Sequence, residues 1–207
     1  MDILSQILEK KIVAIIRGAE PDNVPKIVEA LYAGGIQLVE VTMNSESALQ
    51  VIEKISSMFE NRVKINAGTV LDESSAQDAI SAGARFIISP SLDKRTINAT
   101  KRLGAVSIPG AFTASEILSA YDLGADIIKV FPASVGTTYF TDLRGPLPHI
   151  PMMPTGGVTL ENIVAFHEAG AVAFGVGSAL IRRTPDLSDE YLQQLTEKAA
   201  RFVAAIQ

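Results

Sequence analysis

The sequence contains no cysteine, no tryptophan and only two histidines, His149 and His167. Without cysteine the chain can form no disulfide, no thiolate nucleophile and no Cys-ligated metal site. Two histidines leave almost no material for a His-rich metal site or a Ser-His-Asp triad. We therefore predict that no metal is bound and that both histidines lie outside the functional site.

Excess positive charge and long apolar runs are also missing. There are 18 lysines and arginines against 23 aspartates and glutamates, for a net charge of −5. This balance argues against nucleic acid or an anionic membrane as the main partner. No apolar run approaches the ~18–20 residues that a membrane span needs, and the N-terminus lacks the pattern of a signal peptide. We expect a cytoplasmic location.

Short β-branched runs alternate with helical stretches along all 207 residues. Each run is mostly apolar, as is typical of strands covered on both faces. The predicted strands are 12–17, 37–42, 63–68, 85–90, 104–109, 126–132, 150–154 and 171–177.

The intervening segments carry the signals of amphipathic helices. Asp72 precedes one of them, and Thr113 with Glu116 forms a capping-box pattern before another. Glycines follow several of the predicted helices, as expected of C-caps. The predicted helices are 21–33, 45–59, 72–82, 93–102, 113–123 and 159–169, with a weaker one in 137–147, an additional one in 2–9 and a closing one in 188–206.

Eight strand-then-helix units without a break in composition predict a (β/α)8 TIM barrel with an extra N-terminal helix. The chain is long enough to bury a sizeable core, and we expect one domain spanning residues 1–207. A doubly wound parallel sheet is the structural alternative.

Charged residues within apolar strands are the first candidates for function. Lys129 alternates with apolar residues in DIIKVFP, and Glu40 does so in QLVEVT. In a barrel such a lysine either snorkels outwards or lies in the mouth, where a desolvated lysine becomes an amine nucleophile towards a ketone. A nearby carboxylate could then move the protons that Schiff-base chemistry requires. The alternative is a structural ion pair.

Arg17 ends the first predicted strand, and Thr69 follows the third. An arginine in the mouth of a barrel could clamp a carboxylate or a phosphate. A salt bridge across the rim is an equal alternative for Arg17, and Thr69 is weak support when taken alone.

Glycine-rich turns follow the seventh and eighth predicted strands. In this fold, such turns followed by a short helix form a phosphate site, because backbone amides and a helix dipole bind the anion. The alternative is that these glycines serve only tight turns. The candidate residues are Gly156, Gly157, Gly177 and Ser178, with the short helix predicted in 178–183.

Several motifs then resemble a known family. VEVTMNS, NAGTVL, ISPSL, IPGAFT, IKVFPAS, PTGGVTLEN and VGSAL occur in this order. The chain is similar over essentially its whole length to the 2-keto-3-deoxy-6-phosphogluconate (KDPG) and 4-hydroxy-2-oxoglutarate (KHG) aldolases, which are class I, Schiff-base (β/α)8 enzymes.

The resemblance implies the roles of individual residues. It makes Lys129 the Schiff-base lysine and Glu40 the general acid/base, with Thr69 and Arg17 at the pyruvyl carboxylate. It also implies a metal-independent, cofactor-free homotrimer that acts on a small keto-acid sugar phosphate. The pocket would be lined by Pro90, Pro109, Phe131 and Thr155, and the phosphate would lie on Gly156, Gly157, Gly177 and Ser178.

One position departs from the family pattern. Many phosphogluconate-specific members have arginine four residues after the glutamate, where this chain has Asn44. Asn44 resembles the phosphogalactonate branch, whereas Thr155 resembles the phosphogluconate branch. We predict cleavage of KDPG, or of a close 2-keto-3-deoxy or 4-hydroxy-2-keto acid, to pyruvate and an aldehyde. The alternatives are a 2-keto-3-deoxy-6-phosphogalactonate aldolase, a phosphosugar isomerase or epimerase, and a catalytically silent sugar-phosphate binder.

Overall fold

The computed structural model describes residues 2–60, 62–182 and 187–207. Parallel strands alternate with helices along these residues, so the predicted α/β class is confirmed. The strands are β1 Ile12–Ile16, β2 Leu38–Thr42, β3 Lys64–Gly68, β4 Phe86–Ile88, β5 Val106–Ile108, β6 Gly110–Ala111, β7 Ile128–Val130, β8 Met152–Pro154 and β9 Phe174–Val176.

Most of the predicted helices are present. The helices are α1 Ile3–Lys10, α2 Val24–Ala33, α3 Ala48–Met58, α4 Glu73–Ser81, α5 Lys94–Arg102, α6 Ala114–Asp122, α7 Thr137–Arg144, α8 Ile163–Glu168 and α9 Asp189–Ala204. Asp72 accepts a hydrogen bond from the Ser75 amide, and Thr113 with Glu116 forms the predicted capping box of α6. Among the described residues, no helix is long and apolar enough to cross a membrane.

Two predicted segments differ from the structure. The strand predicted over 104–109 forms only over Val106–Ile108, which is β5. After Pro109, which has no amide hydrogen for the strand ladder, the separate short strand β6 follows outside the predicted range. The helix predicted in 178–183 is wrong over its described part, because residues 178–180 form a turn in which Gly177 O accepts from the amides of Leu180 and Ile181. Residue 183 lies outside the described residues.

The described strands form two parallel sheets that meet at two points. One has the order β5-β4-β3-β2-β1-β9 and the other β6-β7-β8. At one point β5 continues through Pro109 into β6. At the other, Thr155 just after β8 forms a parallel bridge with Gly175 of β9. The carboxyl ends of all these strands therefore point the same way, as a site built on strand ends requires.

Alternate strand residues face two different apolar layers. The outer layer packs against the helices and includes Ile65, Ala67, Ile128 and Val130. The inner cluster is formed mainly near the amino ends of the strands, and Ile7 of α1 packs into it, so α1 covers that end. The inner cluster consists of Ile7, Val13, Leu38, Phe86, Ile88, Ile108, Ile127, Met153 and Ala173.

Candidate active site

Glu40 and Lys129 lie on the inner face, as predicted from their alternation with apolar residues. Glu40 stands between Val39 and Val41, both of which belong to the outer layer. Lys129 occupies the corresponding position between two outer-layer residues of β7. Glu40 is 1% exposed and Lys129 is 3% exposed, so both ionisable groups are held out of water.

Burial changes the proton affinity of both groups in opposite directions. It raises the pKa of Glu40, and the charges of Lys129 and Arg17 offset this only in part. It lowers the pKa of Lys129; the Glu40 charge works against this, whereas Arg17 adds to it. Both shifts favour the uncharged forms, because a charge is disfavoured where water is excluded. A buried lysine with a lowered pKa is an amine nucleophile.

Gly68 of β3 makes room for the Glu40 carboxyl group. A Cβ atom at Gly68 would overlap the Glu40 carboxyl atoms, so any other residue would displace them. The strand register places Thr42 opposite Gly68 and Glu40 opposite Asn66. The Glu40 side chain thus runs towards the carboxyl end of the strands, where Lys129 acts on it electrostatically.

Arg17 and Thr69 meet at the rim of the site. Arg17 Nη2 donates to Thr69 Oγ1 at 3.4 Å. Arg17 is exposed and Thr69 is half-buried in the left-handed backbone region with φ of 57°. The structure therefore brings the two predicted carboxylate-binding residues together, and neither forms a salt bridge in the described part of the chain.

A cavity of about 570 Å³ opens at this end of the strands. Its described lining has three basic side chains, Arg17, Lys129 and Arg182, and no acidic one; the charges of the two arginines favour an anionic ligand. Lys129 Nζ lies 4.9 Å from the Phe131 ring centroid. The predicted site residues that line this cavity are Arg17, Lys129, Phe131, Thr155, Gly156, Gly157, Gly177 and Ser178.

Three predicted site residues and Pro109 are not in the described cavity lining. Glu40 is coupled to the lining through the charges of Lys129 and Arg17, and Thr69 is coupled through its hydrogen bond. Pro90 lies beside the β5–β6 connection, where a Cβ atom at Gly110 would overlap the Pro90 backbone. Pro109 is buried within that connection, and its carbonyl accepts from the Lys129 amide at 2.9 Å.

The glycine turn after β8 is built tightly against the loop after β7. Gly156 and Gly157 have φ values of 77° and 99°, which disfavour other residues. A Cβ atom at Gly156 would lie 3.0 Å from the Phe131 ring, and one at Gly157 would lie 2.7 Å from Ser134 Cα. The glycines therefore meet the demands of a tight turn, and they also expose backbone to the cavity.

Two features of the site escaped the sequence reasoning. Arg182 lines the cavity and lies 5.2 Å from the Tyr191 ring centroid, although it follows β9 by several residues. Asn66 is fully buried on the inner face of β3. The alternation of Asn66 with the apolar residues of VKINAG could have identified it as inward-facing, whereas no local pattern in the sequence indicates a role for Arg182.

The remaining polar candidates lie elsewhere. His149 packs edge-on against Tyr121, and His167 lies 3.1 Å from Lys11 Nζ; neither histidine is in the described cavity lining. Within residues 2–60, 62–182 and 187–207, no group of three or more His, Cys, Asp or Glu side chains could hold a metal ion.

Comparison with known proteins gives one consistent result. The family model "KDPG and KHG aldolase" matches residues 3–197. A 2-dehydro-3-deoxy-6-phosphogalactonate aldolase of Escherichia coli is 32% identical over 94% of this chain and 93% of its own. A 2-dehydro-3-deoxy-phosphogluconate aldolase of Pseudoalteromonas atlantica is 35% identical over 86% and 83%. The solved "Native KDPGal structure" superposes with a TM-score of 0.87 at 31% identity, covering 94% of this chain and 93% of that one.

Proposed function

The chain belongs to the KDPG and KHG aldolase family and is therefore a lyase, and on that premise we propose that it cleaves a 2-keto-3-deoxy-6-phospho sugar acid through a Schiff base on Lys129. The observation that carries this proposal is the buried Lys129 amine on the cavity wall, with its pKa lowered by burial and the buried Glu40 carboxyl acting on it. KDPG is the first candidate substrate.

The reaction begins with attack of the neutral Lys129 amine on the C2 ketone. The carbinolamine loses water and becomes an iminium ion, which serves as an electron sink. Removal of the C4 hydroxyl proton breaks the C3–C4 bond, and that electron pair moves to the iminium nitrogen to give an enamine. Glyceraldehyde 3-phosphate leaves. Protonation of the enamine at C3 and hydrolysis then release pyruvate and regenerate the lysine.

Glu40 is the proposed proton carrier in these steps. Its raised pKa brings proton gain and loss closer to neutrality than is usual for a carboxyl group. Since its carboxyl oxygens have no hydrogen-bond partner within the described residues, they are free to serve the substrate. The isomerase or epimerase alternative would use Glu40 as the base and Lys129 only as an electrostatic partner.

The proposed substrate carries a carboxylate at one end and a phosphate at the other, so the site needs two sets of residues that bind anions. We assign the pyruvyl carboxylate to Arg17 and Thr69, which already share a hydrogen bond at the rim. The phosphate is assigned to the turns after β8 and β9, namely Gly156, Gly157, Gly177 and Ser178, which share the cavity with Lys129. Phe131, Thr155 and Pro90 would form the wall between these two contacts.

For the fold, we propose a closed (β/α)8 barrel comprising one domain over residues 1–207. The continuity of β5 with β6 and the Thr155–Gly175 bridge support this closure, and α1 would cover the amino end. The homotrimer and the cytoplasmic location remain predictions; sedimentation of the purified chain tests the trimer.

A 2-keto-3-deoxy-6-phosphogalactonate aldolase is the second candidate function. It is favoured by the similarity to the E. coli phosphogalactonate enzyme and by Asn44, which lies exposed in the turn after β2. The two substrates differ in configuration at C4. Turnover of each epimer, followed by the pyruvate released, decides between them.

Borohydride reduction in the presence of pyruvate tests the covalent step directly. Intact and peptide mass spectrometry should show a reduced pyruvyl adduct on Lys129, with Lys64 of β3 serving as the internal control peptide. An unmodified protein, with active reductant and pyruvate present, would contradict the Schiff base and favour the isomerase or the silent binder. Ligand-induced stabilisation without turnover of any keto acid would favour the silent binder.

A further inference from the structure

Asn66 of β3 is a buried polar residue with no assigned purpose. Its side chain is 0% exposed, and neither Oδ1 nor Nδ2 has a hydrogen-bond partner within the described residues. Leaving such a group unpaired costs stability, and buried carboxamides are normally hydrogen-bonded. No hydrogen bond within the described residues therefore accounts for a polar side chain at this buried position.

The position of Asn66 relative to Glu40 indicates a function for it. The two residues are paired across the β2–β3 ladder, and both face the interior because their neighbours face the outer layer. The Glu40 carboxyl lies against Gly68, the next residue of β3 on the same face. Same-face positions on a strand are about 6.5–7 Å apart, a gap that a carboxamide side chain and one hydrogen bond of about 3 Å can span.

We propose that Asn66 is a positioning residue for Glu40, its carboxamide hydrogen-bonding the Glu40 carboxyl group during turnover. This deepens the proposed function and rests on it. A carboxamide carries both a donor and an acceptor. It can donate Nδ2–H to the ionised carboxylate and accept at Oδ1 from the protonated carboxyl, so it suits a group that alternates between the two states.

The groups near Glu40 other than Asn66 are charged, lack a side chain or already take part in a hydrogen bond. Lys129 approaches from β7 and Arg17 from the end of β1, and these two supply the charges that act on the carboxyl. On β3, Gly68 has no side chain, and the Thr69 hydroxyl accepts from Arg17. Asn66 is therefore the neutral donor that β3 places beside Glu40.

The test is the pH dependence of kcat in Asn66→Leu, which keeps the branched shape of the side chain and removes the hydrogen-bonding atoms; kcat reports the ionisation of Glu40 in the enzyme–substrate complex, where the proposed bond forms. Loss of a donor to the ionised carboxylate raises the pKa of Glu40, so the acidic limb should move up by about one pH unit. Because no hydrogen bond of the described structure is lost, the midpoint of thermal unfolding should be unchanged or higher. Ile88→Val, in the inner cluster, is the control for packing; it should lower that midpoint and leave the limb in place.

A second measurement does not depend on catalysis. NMR titration of 13C-labelled glutamate carboxyls in the presence of saturating pyruvate, with the Glu40 signal assigned from Glu40→Gln, should show the Glu40 midpoint displaced upwards in Asn66→Leu. If that variant does not fold, Asn66→Val is measured in its place. An unmoved acidic limb and an unmoved Glu40 midpoint would overturn the inference while the wild-type chain still forms its pyruvyl adduct. Absence of that adduct in the wild type would instead overturn the proposed function.

Discussion

The interior of the strands has two ends with opposite chemistry. Near the amino ends, the inner face is an apolar cluster that includes Val13, Leu38 and Phe86 and is covered by Ile7. Towards the carboxyl ends, the same face carries Glu40, Asn66, Lys129 and Thr155. The backbone alternation is the same in both regions, so residue type alone separates them.

The difference lies in how completely the polar atoms are paired. Within the described residues, both Glu40 oxygens, both polar side-chain atoms of Asn66 and Thr155 Oγ1 are buried without a hydrogen-bond partner. Such groups reduce stability, whereas the apolar end contributes to it through burial. We infer that the amino end stabilises the fold and that the carboxyl end trades stability for reactivity. Substitutions at the carboxyl end should therefore change turnover, and substitutions at the amino end should change stability.

Replacing the amine at the carboxyl end should abolish activity. Lys129→Met removes the proposed nucleophile, so pyruvate release should fall below detection and borohydride should trap no pyruvyl adduct. The fold should persist, as judged by circular dichroism. Lys64→Met, a lysine at the start of β3, is the matched control and should retain turnover. Aldol cleavage that survives in Lys129→Met would exclude the covalent mechanism.

Neutralising the carboxyl group should slow the reaction without ending it. Glu40→Gln keeps the side-chain shape and removes the proposed proton carrier, and we expect kcat to fall by about 10²–10⁴-fold. Stopped-flow measurement of pyruvate release checks this. Glu53→Gln, on the exposed face of α3, should behave as the wild type. Equal rates for Glu40→Gln and the wild type would remove Glu40 from the mechanism.

A single methyl group next to Glu40 should also be costly. Gly68→Ala places a Cβ atom where the Glu40 carboxyl lies, and displacement of a catalytic group by about 1 Å can cost roughly 10²-fold in rate. In the control Gly145→Ala, the new Cβ would meet Asp142 O at an ordinary 3.6 Å. Steady-state kinetics of the two variants should differ by this factor; similar kinetics would mean that the carboxyl group tolerates the displacement.

The apolar end should respond in the opposite way. Ile7→Ala opens a cavity under α1 and should lower the free energy of unfolding by about 2–5 kcal/mol. Urea denaturation measures this change. The kcat/KM of the folded fraction should stay at the wild-type value, because Ile7 lies in the inner cluster, away from the described cavity lining. A large loss of kcat/KM would show that the two ends are coupled.

The smallest expected effect is on the pH dependence of stability. The pKa of Lys129 is lowered in the folded chain from its usual 10.5. Between the lowered pKa of the folded chain and the usual pKa of the unfolded chain, Lys129 binds more protons when the chain is unfolded. Its contribution to the free energy of unfolding therefore rises with pH in this range. Comparison of urea denaturation for the wild type and Lys129→Met should show this slope in the wild type only. A steeper slope in the variant would contradict the direction of the pKa shift.

Much of the local structure could be predicted from the sequence. The capping box at Thr113 and Glu116 and the inward orientation of Glu40 and Lys129 follow from short-range patterns, and all were found. The helix predicted after Gly177 was wrong, because a turn signal of a few residues does not determine whether a helix continues. The separate strand β6 was missed, because it begins after Pro109, where the predicted strand ends.

By itself, the sequence determined the order of strands and helices and which strand residues face inward, because the pleat and the helical repeat are local properties of the backbone. The tertiary structure decided which inward residues meet. It brought Glu40 of β2 within reach of the Lys129 charge, joined Arg17 to Thr69, added Arg182 to the cavity, and left Asn66 without a partner. Those contacts depend on the stagger and curvature of the whole sheet, which no short stretch of residues encodes.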